Sequence, residues 1–109
     1  MDFINLNEEL KELKDNNSMT LVYFGSSLCS VCGALKPKVN ELLTRYPEIK
    51  AVQVDTGKSS ALAASNNMFT IPGILLFIDG KEAIREARFI SVPDLERKIE
   101  RYYKMYFED

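Results

Sequence analysis

The sequence contains no histidine, no tryptophan and only two cysteines in 109 residues. Each shortage excludes something. A structural zinc site closes on about four cysteine or histidine ligands, so this chain could complete one only by sharing it with a second copy. Ser30 has no histidine to activate it as a nucleophile. The longest uninterrupted apolar run, Ile74-Leu75-Leu76-Phe77-Ile78, falls far short of the roughly 20 residues that cross a bilayer. Neither charge sign dominates: 14 basic and 16 acidic residues leave a formal net charge of −2, with no block that would favour nucleic acid. The start, Met1-Asp2-Phe3-Ile4-Asn5-Leu6-Asn7-Glu8-Glu9, has neither the basic opening nor the apolar stretch of a secretory signal. A cytoplasmic location, with no membrane and no nucleic-acid partner, is the expectation. No metal and no cofactor are expected.

What is present is enough for one core. A hydrophobic content of 46% over this length suits a single domain, 1–109. Leu6, Leu10 and Leu13 recur at helical spacing, with Asn5 as N-cap and Glu8 three residues on. Thr20 to Phe24 is a short run of β-formers ended by Gly25-Ser26-Ser27, the pattern of a strand buried on both faces. Val31, Leu35, Val39, Leu42, Leu43 and Tyr46 then mark the core stripe of a helix that Pro37 should kink rather than end. A strand from Ile49 to Val54 and a short helix around Ser60 to Asn66 follow, with Phe3 and Ile4 as a possible edge strand. Gly73 to Ile78 and Ala83 to Arg88 flank Asp79-Gly80, a strong hairpin signal. Ser91 caps a closing helix bearing Val92, Leu95, Ile99, Tyr102 or Tyr103, and Tyr106. Tyr102 and Tyr103 are adjacent, so one aromatic of this helix should be exposed or lie at a contact. Lys11, Lys14, Lys36 and Lys38 read as solvated faces. The expected fold class is α/β: a mixed β-sheet flanked by helices, its last two strands an antiparallel hairpin.

Cys29-Ser30-Val31-Cys32 sets two thiols one helical turn apart, at the junction of a buried strand and the next helix. Unpaired N–H groups and the helix dipole favour a thiolate there, which makes Cys29 the candidate nucleophile and Cys32 the resolving thiol. The bland alternative is a pair of ordinary buried cysteines.

Leu21-Val22-Tyr23-Phe24 leading into this motif, Pro37 five positions beyond the second cysteine, Ile71-Pro72 before a strand, and the Asp79-Gly80 turn together resemble the thioredoxin family over nearly the whole chain. The resemblance implies a thioredoxin-like fold and a thiol–disulfide oxidoreductase. By the same resemblance, Pro72 follows a cis peptide bond beside the cysteine pair and Ile71 docks an extended substrate segment. Taken alone, Pro72 could equally just start a strand. Departures from the family pattern are concrete. Leu28 precedes the motif where the family has tryptophan, and Ser30-Val31 replaces its Gly-Pro. Tyr23 stands where a buried carboxylate helps deprotonate the second cysteine, and Ala51 where that carboxylate has a lysine partner. Without them, proton acceptance at Cys32 would fall to Asp55, Lys58 or solvent. Arg88 replaces a glycine beside the docking groove, as a cation for acidic substrates or simply a solvated charge.

The function expected is reduction of protein or small-thiol disulfides, with a reductase or low-molecular-weight thiol as electron donor and a monomeric protein. A non-catalytic binding or redox-sensing module on the same fold is the alternative.

Overall fold

The computed structural model describes residues 1–108. Its elements are β1 (Asp2–Phe3), α1 (Asn7–Asn16), β2 (Met19–Gly25), α2 (Ser30–Leu43), β3 (Ile49–Asp55), α3 (Ser60–Ser65), β4 (Gly73–Ile78), β5 (Lys81–Ala87) and α4 (Val92–Phe107). The five strands form one sheet in the order β1-β3-β2-β4-β5. β3 runs parallel to both β1 and β2, while β4 is antiparallel to β2 and β5. This is the mixed sheet that the element order implied.

Strand alternation divides the core in two. Met19, Leu21 and Tyr23 of β2 join Leu35, Val39 and Leu42 of α2 and Leu95 and Ile99 of α4 in one buried cluster. Val22 and Phe24 face the other way, into a cluster with Leu10 of α1 and Leu62 of α3. On β3, Val52 and Val54 belong to that second cluster. Ala51, Gln53 and Asp55 therefore take the α2 side, and their register partners on β2 are Leu21, Tyr23 and Gly25. Pro37 lies inside α2 without ending it.

Several local expectations change. The α1 cap is Leu6, not Asn5: Glu9, three residues after Leu6, reaches back to accept the N–H groups of Asn5 and Leu6 at 2.9 and 3.0 Å. The Asn5 side chain instead accepts the Ser59 hydroxyl at 2.7 Å. The edge strand is Asp2–Phe3 rather than Phe3 and Ile4, and Ile4 is core. β5 starts at Lys81, because Asp79 and Gly80, both at positive φ, close a tight turn and an irregularity at Leu76/Phe77 resets the register. Val31 leaves the core stripe and is 59% exposed, and Cys32 takes its place in the first turn of the buried face with Leu35, Val39 and Leu42. Tyr102 and Tyr103 both pack against the core, half-buried; the exposed aromatics are Tyr106 and Phe107 one turn later. No helix among the described residues is long and apolar enough to cross a membrane.

Candidate active site

Where β2 ends, Ser26 reverses the chain. Its carbonyl accepts the Cys29 N–H at 3.1 Å and its hydroxyl oxygen the Leu28 N–H at 3.2 Å. That turn delivers Cys29, in extended conformation, to the N-cap of α2. There the Cys29 Sγ accepts the Cys32 N–H at 3.2 Å, as a serine or aspartate oxygen would at an ordinary cap. The sulfur is thus directed at the unpaired donors and the positive end of the helix dipole, an environment that favours thiolate over thiol. Cys29 and Cys32 are joined as a disulfide with Cα atoms 5.3 Å apart. The two sulfurs are unequally placed: Cys29 is half-exposed, whereas Cys32 is 2% exposed.

Tyr23 comes up beneath the pair from β2. Its hydroxyl donates to the Cys32 carbonyl at 2.5 Å, and burial pushes the phenol's pKa above its ordinary value. At neutral pH it is a donor already committed to backbone, and it cannot accept the Cys32 proton. Ala51 contributes only a methyl group, packed against the core. A cleft of about 190 Å³ opens beside the pair, lined by Tyr23, Gly25, Cys29, Cys32, Lys36 and Asp55 among others. Lys36 is therefore more than a solvated charge: it is half-buried in the cleft wall, its ammonium 5.7 Å from the centre of the Phe3 ring. Lys58, which the sequence offered beside Asp55, is exposed in the following turn and does not line the cleft.

On the other side of the pair, the Ile71–Pro72 peptide bond is cis. Phe24 pairs with Gly73, so this loop and the cysteine turn share one end of the sheet. Pro72 is buried and its carbonyl accepts the Arg88 N–H at 2.8 Å. Ile71, half-buried, takes part in none of the backbone hydrogen bonds recorded for the loops among the described residues. Arg88 sits at φ 70°, exposed, with its guanidinium 6.0 Å from the Phe89 ring. Leu28 and Phe89 are 95% and 90% exposed, and Phe69 stands out just before Ile71. No group of three or more histidine, cysteine or acidic residues among the described ones is arranged to hold a metal ion.

Gly25 and Lys36 are the site residues that sequence reasoning missed. Gly25 reads locally as a strand terminator, and its bearing on Cys32 emerges only when α2 folds over β2. Lys36 carried a signal in its spacing, one turn beyond Cys32 on the same helix.

Comparison with known proteins agrees with this geometry. The family model described as Thioredoxin matches residues 4–101. Thioredoxin-like protein YdfQ of Bacillus subtilis (strain 168) is 36% identical over 90 residues, spanning 83% of this chain and 80% of that protein. Thioredoxin H8 of Arabidopsis thaliana is 30% identical over 98 residues, spanning 90% of this chain and 66% of that protein. Among solved structures, a mutant thioredoxin from Halobacterium salinarum NRC-1 superposes with a TM-score of 0.83 at 24% identity, covering 94% of this chain and 89% of that one. That last likeness speaks for the fold alone.

Proposed function

This chain belongs to the thioredoxin family and is a thiol–disulfide oxidoreductase, and from that premise we propose how its residues divide the work. Cys29 attacks a substrate disulfide as the thiolate, forming a mixed disulfide and expelling one substrate sulfur. Cys32 then attacks Cys29, closing the intramolecular disulfide and releasing the second substrate thiol. Ile71, held next to Pro72, offers its free backbone N–H and carbonyl to an extended substrate segment, the usual way an exposed edge takes a peptide. The observation that carries this assignment is the asymmetry of the pair, an accessible sulfur on a helix N-cap and a buried one beneath it. The exposed rim of Leu28, Val31, Phe69 and Phe89 favours protein substrates whose cysteine lies in an apolar, extended stretch. In this reading the protein is a single-domain monomer in a reducing, cytoplasmic compartment, and a reductase or a low-molecular-weight thiol restores the dithiol.

The test is a trapping experiment combined with a redox titration. Cys32→Ser should accumulate mixed disulfides through Cys29, whereas Cys29→Ser should accumulate none. The intact pair should titrate as one two-electron transition near about −270 mV, the range of a reductase, rather than above about −200 mV. If Cys32→Ser traps nothing under mild oxidation, the assignment of roles fails.

A further inference from the structure

The resolving step requires Cys32 to lose a proton, and the phenol and methyl group at Tyr23 and Ala51 cannot receive it. Gly25 and Asp55 are register partners on the adjacent parallel strands β2 and β3. Their side-chain directions are therefore the same, on neighbouring strands about 4.8 Å apart. A Cβ at Gly25 would stand 3.2 Å from the Cys32 Cβ and 3.5 Å from its Sγ. Glycine at 25 therefore lets Cys32 pack this close to β2, at the wall of a cleft that Gly25, Cys32 and Asp55 all line. At about 190 Å³ the cleft is large enough for several waters, and Lys36, Gln53 and Asp55 contribute polar groups to its wall. The Asp55 carboxylate is held in place by one oxygen only: Oδ1 accepts the N–H groups of Gly57 and Lys58 at 2.9 and 3.3 Å. Oδ2 has no partner in the recorded hydrogen bonds among the described residues. The titratable groups that line the cleft are Tyr23 from β2, Cys29, Cys32 and Lys36 at or on α2, and Asp55 from β3. Lys58 follows in Asp55's own turn. Of these, Asp55 is the one carboxylate.

We propose that Asp55, acting through water in the cleft beside Gly25, accepts the Cys32 proton during resolution. The inference rests on the division of roles proposed above. The proton passes from the Cys32 Sγ to water and on to Asp55 Oδ2. The new thiolate attacks the Cys29 Sγ, the bond between Cys29 and the substrate sulfur breaks, and the electron pair leaves on that sulfur. The substrate thiolate then takes up a proton from water, and Asp55 returns its own to solvent. Mixed disulfide and thiol become intramolecular disulfide and substrate thiol, with no external oxidant.

The experiment mixes the reduced full-length protein rapidly with excess of an aromatic disulfide whose released thiol is coloured. The first release depends on reagent concentration and reports attack by Cys29. The second does not, and reports resolution by Cys32. Asp55→Asn keeps an oxygen for the turn and removes the base. Its first phase should match the wild type, and its second should be slower on the order of ten-fold at pH 7. The deficit should close above about pH 9, where an ordinary thiol ionises unaided. Asp55→Ser, whose hydroxyl can also accept in such a turn, should behave alike. Three outcomes overturn the proposal. Equal or faster resolution in Asp55→Asn would show a carboxylate acting only as a like charge that opposes the thiolate. A deficit equal at every pH would assign Asp55 a purely structural part in the turn. A wild type lacking the concentration-independent phase would remove the roles assigned to the pair as well, which separates that failure from failure of Asp55 alone.

Discussion

Tyr23→Phe removes one oxygen from the most confined part of the site, and its cost can be worked out in advance. Tyr23 is 1% exposed and its hydroxyl makes a single recorded bond, 2.5 Å to the Cys32 carbonyl. Phenylalanine fits the same space in the same rotamer, so neither a large cavity nor a clash competes with the lost bond. A net hydrogen bond is worth about 1 kcal/mol, and depriving a buried carbonyl of its partner can raise the cost toward about 2 kcal/mol. For a domain near this size, about 1 kcal/mol corresponds to a fall in Tm of roughly 4–8 °C. The bond goes to backbone, not to sulfur, so oxidised and reduced proteins should lose the same amount. A difference of about 0.3 kcal/mol between them would move the reduction potential by only about 6 mV, from the equivalence of about 30 mV and 1.4 kcal/mol for two electrons. The assay is paired urea denaturation of both redox states, with a titration of the potential. An unchanged midpoint would show that the hydroxyl contributes nothing net. A potential shifted by more than about 15 mV, roughly half of that 30 mV equivalence, would show that Tyr23 acts on the thiols and not merely beneath them.

Two further perturbations probe the frame around the site. Arg88→Gly should raise the urea midpoint by up to about 1 kcal/mol equivalent, because a non-glycine residue at φ 70° bears roughly 1–2 kcal/mol of strain that glycine relieves, less the entropy glycine adds to the unfolded chain. A clear loss instead would mean that the guanidinium makes a contact worth more than the strain. The Glu96 carboxylate of α4 accepts the Arg45 guanidinium at 2.8 Å and the Tyr46 hydroxyl at 3.0 Å. Burial, then the bond to Glu96, pushes the Tyr46 phenol up to about 12 from 10.0. A raised folded pKa means that Tyr46 contributes stability below about pH 10 and loses it as pH rises toward 12. The Arg45 hydrogen bond holds the Glu96 carboxyl below its usual range, so that contribution is present above the unfolded value and is lost as pH falls through the folded one. Denaturation midpoints across pH should fall at both ends, and Tyr46→Phe should shrink the alkaline fall, leaving the part that the raised Tyr23 phenol contributes, and weaken the acid fall through the bond that Glu96 loses; an alkaline fall of undiminished size would contradict the assignment.

Much of the fold was legible because its signals are local. The apolar run ending at Gly25, the Asp79-Gly80 turn and the Ser91 cap each specify an element from a few neighbouring residues; the strand and the closing helix formed where expected, and the hairpin formed with its second strand starting at Lys81 instead of Ala83. The cysteine pair was legible for the same reason, as a strand-to-helix junction. What escaped were consequences of packing between elements distant in sequence. Val31 fits the helical stripe, yet it is Cys32 that takes the first-turn place on the buried face. Glu9 and Glu8 are equally good capping acids until Asn5 is drawn to Ser59, 54 residues away in sequence. Tyr23 could be recognised as a departure from the family pattern. That its hydroxyl would find the Cys32 carbonyl could not, because that bond depends on the height at which α2 crosses β2.

The departures at the site are physically coupled. A carboxylate buried at position 23 would need a cation nearby, since an isolated buried charge is far costlier than a satisfied neutral group. A phenol bonded to a carbonyl needs none, and Ala51 is compatible with it where a lysine would itself become an unpaired buried charge. Removing both charges leaves a neutral phenol beneath Cys32, which anchors the first turn of α2 through the Cys32 carbonyl but supplies no proton acceptor. Gly25 lets Cys32 pack close to β2, and both line a cleft whose walls also carry Asp55 and Lys36. Returning an aspartate to position 23 alone should therefore destabilise the protein without improving resolution. The new carboxyl would be held protonated by its apolar surroundings, whereas Asp55 lies half-buried at the end of β3, in the wall of the cleft.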